Sequence, residues 1–256
     1  MRAISYTRFG PAAEVLTYGE IDTPTPGPGE VLVRLTYSGV NPSDAKARAG
    51  GRPGVTEPPF PQIVPHSDGA GVIMAVGDGV DPARLDQRVW IWNGQWQRAF
   101  GTAAEMICLP TEQAVPLPDD ISNEVGATLG IPGLTAAQTV FGGGDVAGQT
   151  LLISGGAGAV GHMAVQLAKG AGAHVIATAS EPASHYVKTA GADHVFDYAD
   201  PDLSPKIQDA SNGGIDRAIE VEFGQNADLL ADVMKPLGTI AAYGSGKDMT
   251  PTLPFG

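Results

Sequence analysis

Gly156, Gly158 and Gly161 stand at the spacing G-x-G-x-x-G, immediately after the apolar run Leu151, Leu152, Ile153 and at the start of a stretch with Val160, Met163, Ala164, Leu167 and Ala168 at helical spacing. In that pattern the first glycine permits a tight turn, the second lets backbone approach a pyrophosphate, and the third lets the helix pack on the strand. Amide groups at a helix start have no partner inside the helix, so Gly156, Ala157, Gly158, Ala159, Val160 and Gly161 would offer N–H donors to phosphate oxygens. In a chain with 35 glycines the spacing alone fits an ordinary turn as well. The surroundings decide: a second apolar strand, Val175 to Thr178, follows the helix within about thirty residues, which is the βαβ setting of a dinucleotide site. A mononucleotide phosphate loop is excluded, because His162 stands where its lysine must be and no Ser or Thr follows.

The tip of that second strand bears on which dinucleotide is bound. An NAD site places Asp or Glu there to bond the ribose 2′-hydroxyl, and such a carboxylate would repel a 2′-phosphate. Here the chain reads Thr178, Ala179, Ser180, which favours NADPH over NADH. Glu181, one residue further on, is the competing reading. Lys188 on the next helix is either a phosphate contact or a solvated surface lysine.

The elements that must position these residues fall into two regimes. Residues 1–121 read as β-rich, with alternating runs over Val31 to Tyr37, Gly71 to Val76, Arg88 to Trp92 and Ala103 to Leu109, separated by Pro and Gly clusters. Residues 122–256 read as α/β. Ser122 caps a short helix, a second helix crosses Leu134 to Phe141, and strands follow at Leu151 to Ser154, Val175 to Thr178, Val195 to Asp197, Ile215 to Glu220 and Gly238 to Tyr243. That is a doubly wound parallel sheet, expected to be truncated after the fifth strand because the residues after Gly244 are too few for a helix and another strand.

Composition narrows the function. A length of 256 residues with 43% hydrophobic content supports one large or two ordinary domains with real cores. The net charge of −13 argues against nucleic acid as a partner. No apolar run is long enough to span a membrane and no secretion leader is visible, so the expected compartment is the cytoplasm. Cys108, the single cysteine, reads as a small hydrophobe in a strand, and His66, His162, His174, His185 and His194 have no metal-ligand spacing, so no metal site is expected. Tyr243 and Lys247 have the spacing of a short-chain reductase pair, but two intervening glycines oppose the helix that must align them.

Seven segments in order carry a family resemblance: SGVNPSD at 38–44, PHSDGAGVI at 65–73, GTAAE at 101–105, GIPGLTA at 130–136, GAGAVG at 156–161, AGAD at 190–193 and GIDRAIE at 214–220. The chain resembles the medium-chain dehydrogenase/reductase superfamily, in particular its zinc-free quinone oxidoreductase (zeta-crystallin-like) branch. The resemblance implies an N-terminal GroES-like domain followed by a Rossmann domain, and hydride transfer from NADPH to a quinone or enone. Zinc alcohol dehydrogenases of the superfamily place their metal ligands where this chain has Asn41, Ser67 and, approximately, Ile131, so a carbonyl-polarising metal is not implied. Asn41 is implied to hydrogen-bond the acceptor or the nicotinamide side, with a plain turn role before Pro42 as the alternative. Asp44 follows the family pattern or caps a helix. Thr135 resembles the threonine near the nicotinamide amide, Gly244 and Ser245 end the fifth strand beside the nicotinamide, and Ser180 and Tyr198 match positions around the adenosine 2′-phosphate.

The chain departs from the family at Lys46, where an aromatic residue is common, and carries Trp90, Trp92 and Trp96 in a region expected to form a loop walling the cleft. Relatives also run further at the C-terminus. The chain is therefore expected to be an incomplete product with weakened NADPH affinity, a homodimer only if the missing segment is present. Two other functions stay open: an enoyl-thioester reductase of the same superfamily, and a non-catalytic NADPH-binding fragment.

Overall fold

The computed structural model describes residues 1–51 and 54–253. It divides into two compact units, the first running from Met1 to Ile131 and the second beginning at Pro132. The compositional shift at 121–122 precedes the end of the first unit, because helix α3 (Asn123–Gly126, counted after α1, Ala12–Val15, and α2, Pro42–Arg48) packs on that unit's strands.

The first unit is antiparallel. Its main sheet has the order β6-β3-β4-β5-β7, with β3 at Glu30–Gly39, β4 at Asp68–Val76, β5 at Arg88–Ile91, β6 at Met106–Pro110 and β7 at Ala114–Pro116. Alternation drives it: Val31, Val33, Ile73, Val89, Ile91, Ile107 and Leu109 form one fully buried cluster, while Arg34, between buried and half-buried neighbours on β3, is exposed. A separate antiparallel pair, β1 (Arg2–Ser5) and β2 (Thr17–Glu20), has no counterpart in the sequence reading, since β1 alternates over only four residues and β2 is exposed throughout. Pairing of β3 with β4 shifts register at Leu32/Val33 and again at Leu35/Tyr37. Such bulges re-aim side chains. After the second shift Ser38 lies opposite Gly69 and Gly39 opposite Asp68. Trp90 lies within β5, whereas Trp92, its indole N–H held by the Glu112 carbonyl at 3.1 Å, and the exposed Trp96 lie in the bends and turns that follow, so of the tryptophan loop expected from the sequence only Trp90 belongs to a strand.

The second unit is a parallel sheet in the order β10-β9-β8-β11-β12, with β8 at Thr150–Ile153, β9 at His174–Ala179, β10 at His194–Asp197, β11 at Ile215–Glu220 and β12 at Met234–Ala242. Helices cover both faces, which explains the near-continuous apolar text of β8. Leu151 and Ile153 pack with Ala164, Val165 and Ala168 of α5 (Ala159–Gly170, the helix after α4, Leu134–Phe141). Leu152, pointing the other way, packs with Ile207 of α7 (Leu203–Ala210, after α6, Ser184–Thr189) and Leu230 of α8 (Phe223–Val233). Each such fully buried aliphatic side chain contributes about 1.5–3 kcal/mol. Edge strand β12 differs: it starts four residues before the expected Gly238, bends at Leu237 (φ 66), and leaves Leu237 and Ile240 exposed. A register shift between Ile215 and Arg217 accommodates the early start.

Candidate functional site

Strand β8 feeds directly into the glycine turn. The left-handed residue is Gly155 (φ +67), not Gly156, which corrects the assignment of the tight turn to the first glycine of the spaced motif. Gly156 is required for a different reason: a Cβ there would lie 2.9 Å from Val187 Cγ1 and 3.1 Å from Ala177 Cβ. Its N–H donates to the Thr178 carbonyl at 2.8 Å, fastening the turn to β9. A Cβ on Gly161 would lie 2.2 Å from the Gly155 carbonyl oxygen, so the close helix-to-turn approach excludes any side chain. Gly158 is unlike both, with only that same carbonyl within reach, at 3.3 Å.

Gly158 is the N-cap of α5 and makes no side-chain cap. Ala157, Gly158 and Ala159 are exposed, whereas Val160 leans onto the buried cluster beneath. The result is a positively polarised helix start, exposed over residues 157–159, whose helical ladder begins with the His162 N–H on the Gly158 carbonyl at 2.8 Å, so the amides of Ala159, Val160 and Gly161 precede it. It follows β8, beside the point where the strand order reverses, between β8 and β11. The residues present therefore fit a dinucleotide pyrophosphate.

Of the other expected site residues of this unit, Ser180, Tyr198, Gly244 and Ser245 follow the carboxyl ends of strands, while Lys188 and Thr135 lie on helices. Ser180 follows β9 and opens a short 3₁₀ turn headed by the exposed Glu181. Tyr198 follows β10, is 63% exposed, and donates its N–H to the Ala179 carbonyl at 3.4 Å. Asp197, paired with Ala179, turns its carboxylate to the Ala199 N–H at 2.9 Å. Gly244 and Ser245 follow β12: the Gly244 carbonyl accepts from Phe223 N–H at 3.1 Å and Ser245 Oγ from Gly224 N–H at 2.9 Å. Lys188 is exposed near the end of α6. Thr135 lies half-buried in the first turn of α4, its carbonyl accepting from Thr139 Oγ1 at 2.8 Å.

Sequence reasoning passed over the group that joins β8 to β11. Glu220 is 1% exposed, and its Oε1 accepts from Ser154 Oγ (2.9 Å), Asn226 Nδ2 (2.9 Å) and the Glu222 N–H (2.5 Å). Its charge, after burial, pushes the Tyr243 phenol up to about 12. An acid directly after the apolar pair Ala218 and Ile219, at the end of the strand, was the available signal.

In the first unit Asn41 and Asp44 meet as a helix start. Asn41 N–H donates to Asp44 Oδ2 at 2.7 Å, and Pro42 occupies the first helical position. The residue that organises them is Asp68, wholly buried and not singled out by the sequence. Its carboxylate accepts from Asn41 Nδ2 at 2.7 Å and from the Ile131 N–H at 2.9 Å. Burial pushes this carboxyl up to about 6, with the two hydrogen bonds pulling the other way and the Asp44 charge adding to the rise. At two of the positions where zinc relatives carry ligands, Asn41 and Ile131, the chain thus aims N–H donors at a carboxylate. That polarity does not fit a zinc ion, and among the described residues no three His, Cys, Asp or Glu side chains cluster as a metal set.

Comparison with known proteins follows the same division. Residues 27–119 match the alcohol dehydrogenase GroES-like domain family, and residues 159–256 match the family described as zinc-binding dehydrogenase. The rat (Rattus norvegicus) quinone oxidoreductase is 32% identical over 88% of this chain and 68% of its own length. The human (Homo sapiens) synaptic vesicle membrane protein VAT-1 homolog is 31% identical over 98% of this chain, which spans 62% of that relative. Among solved structures, mycobacterial Rv1454c complexed with NADPH superposes with a TM-score of 0.82 at 28% identity, covering all of this chain and 76% of that one. An antiparallel β unit followed by a parallel sheet with a glycine cradle at its reversal point defines a dinucleotide-binding α/β class. Within it, the chain belongs to the medium-chain dehydrogenase/reductase superfamily as a quinone-oxidoreductase-like member. The membrane association in one relative's name has no counterpart in a spanning segment: among the described residues no helix is long and apolar enough to cross a membrane.

Proposed function

We propose that this chain is an NADPH-dependent oxidoreductase that reduces a quinone or an activated alkene without a metal. The observation that carries the reading is the helix start at Gly158 to Gly161, exposed at Gly158 and Ala159, without a side-chain cap, and backed by the buried Gly161, where any Cβ would strike the turn. When bound, the cofactor supplies a hydride from its nicotinamide. The amides of Ala157, Ala159, Val160 and Gly161 are assigned to the pyrophosphate, those of Gly156 and Gly158 being spent on the Thr178 and Gly155 carbonyls, and the helix dipole stabilises its charge. Ser180, with a small hydroxyl at the tip of β9, and Tyr198 leave room for a 2′-phosphate. Asp197 supports this, since its carboxylate is committed to its own loop. Gly244, Ser245 and Thr135 are assigned to the nicotinamide end.

Asn41, Asp44 and Asp68 form the polar set on the acceptor side of the reading. Asp68 fixes the Asn41 carboxamide in one orientation, and Asp44 fixes the backbone that carries it. Quinones and enones need orientation and modest hydrogen bonding more than a Lewis acid, which suits a set built from one amide and two carboxyl groups. The test is loss of NADPH absorbance on adding a small ortho-quinone, run beside a crotonyl thioester. Turnover with the quinone supports the reading. Turnover with the thioester alone would move the chain to enoyl reduction, and tight NADPH binding without either would leave a binding fragment.

A further inference from the structure

Gly155 and Gly156 are the softest residues of the cradle, since neither has a Cβ to restrict its backbone and Gly155 stands in the left-handed region. The direction in which the following amides point must therefore be fixed from outside the turn. One residue does this twice. The Thr178 carbonyl accepts from the Gly156 N–H at 2.8 Å, and Thr178 Oγ1 accepts from the Gly155 N–H at 3.2 Å. Both lengths lie in the ordinary range for an N–H donor and an oxygen acceptor. A single bond would leave the turn free to pivot about it, whereas bonds from two consecutive amides to one residue fix its angle as well as its place. Any residue at 178 supplies the carbonyl. The hydroxyl comes from this side chain, which is buried and so serves the turn rather than solvent.

The same end of β9 frames the rim. Ser180 lies two residues beyond Thr178, and the Ala179 carbonyl between them accepts from the Tyr198 N–H at 3.4 Å. Cradle and rim thus meet at residues 178–180. The turn also lies close against the strand, since a Cβ on Gly156 would come within 3.1 Å of Ala177 Cβ. We propose that Thr178 is the positioning residue that sets the preference for a 2′-phosphorylated dinucleotide, its hydroxyl holding the pyrophosphate amides in register with the rim of Ser180 and Tyr198. The inference rests on the NADPH reading and goes beyond it, because it names what keeps the two phosphate-binding places aligned. A ligand anchored by charge at both places gains from the second only if the geometry lets it engage both at once. NADH, with no phosphate for the rim, follows a tilted turn at little cost.

The test titrates NADPH and NADH by fluorescence into the unaltered protein, Thr178→Val and Thr178→Ser, and records the thermal unfolding of each. Valine keeps the β-branched shape and loses the acceptor; serine keeps the acceptor and loses the methyl group. In Thr178→Val, NADPH is expected to weaken about tenfold and NADH no more than about threefold, so the preference falls. Thr178→Ser is expected to retain the preference even where its unfolding temperature drops through the lost methyl. A merely structural role would instead lower both affinities together in whichever variant is less stable. A preference unchanged in Thr178→Val, or lost equally in Thr178→Ser, overturns the proposal while leaving the NADPH reading in place. No preference for NADPH in the unaltered protein overturns both. Should Thr178→Val not fold, amide hydrogen exchange of the unaltered, nucleotide-free protein decides the point. A Gly155 amide protected like that of Gly156 supports the proposal, and one that exchanges as fast as an open amide overturns it.

Discussion

The glycine cradle of the second unit and the Asn41–Asp68 set of the first solve opposite problems. The cradle is backbone: its donors are amides left open by helix geometry, and its side chains are deleted where they would collide. The Asn41–Asp68 set is side chain: two N–H groups converge on one buried carboxyl and leave it little else to do. An open amide array waits for a ligand's charge. A closed set spends its hydrogen bonds on holding one amide in place. Ligand affinity should therefore live in the first kind of site, and pH-dependent stability in the second.

The largest break in this contrast comes from Gly161→Val. A side chain 2.2 Å from the Gly155 oxygen must push the turn away, and NADPH affinity should fall by about a thousandfold, about 4 kcal/mol, as read by fluorescence titration. Affinity within tenfold of the unaltered protein would mean that the turn is not the phosphate site.

Asp68 gives the next effect. Its carboxyl is raised from 3.8 to about 6, so the protonated form is the one the fold prefers. The stabilisation is fully present below the unfolded value and is lost as pH rises through the folded value, a term of about 3 kcal/mol between acidic and neutral pH. Urea unfolding across that range should show this decline in the unaltered protein and a flatter profile in Asp68→Asn. Parallel profiles would remove Asp68 as the source.

Gly158→Ala sharpens the comparison, because it separates affinity from stability. A methyl group there meets only the Gly155 carbonyl oxygen, at 3.3 Å, so the apoprotein accommodates it with a shift of a few tenths of an ångström. Thermal unfolding should move little, whereas NADPH binding should weaken about tenfold, or about 1.4 kcal/mol, since the methyl lies where backbone must approach phosphate. A drop in both together would make Gly158 a folding residue only. The smallest effect is expected at the rim: Ser180→Asp should cost NADPH several-fold and leave NADH unchanged or improved, measured as a ratio of dissociation constants. An unchanged ratio would place the 2′-phosphate elsewhere.

The same contrast accounts for what the sequence disclosed. A backbone site needs glycines at fixed offsets between a strand and a helix, so Gly156, Gly158 and Gly161 announce it in one dimension. Even there Gly155 escaped notice, because adjacent glycines differ in conformation and only coordinates tell which is left-handed. Strands β8 to β11 were legible from apolar runs within a residue or so. Strand β12 was not: its exposed first half has no burial pattern, and its start depends on a bulge. Asp68 and Glu220 were passed over for a related reason. A lone acid at the end of a strand becomes informative only when its partners, separated by 27 and 63 residues for Asp68 and by 66 for Glu220, arrive from elsewhere in the chain. The pairing of β1 with β2 stayed invisible because β2 is exposed throughout and β1 alternates over only four residues, too short a run to read.

The account rests on an amide cradle beside a strand tip that carries Ser180 in place of a carboxylate, and equilibrium titration of the protein with NADPH and NADH side by side under identical salt tests it most directly. It predicts saturable binding of both, with NADPH at least tenfold tighter. NADH binding equally or more tightly would contradict the rim, and the absence of saturable binding by either would contradict the cradle itself.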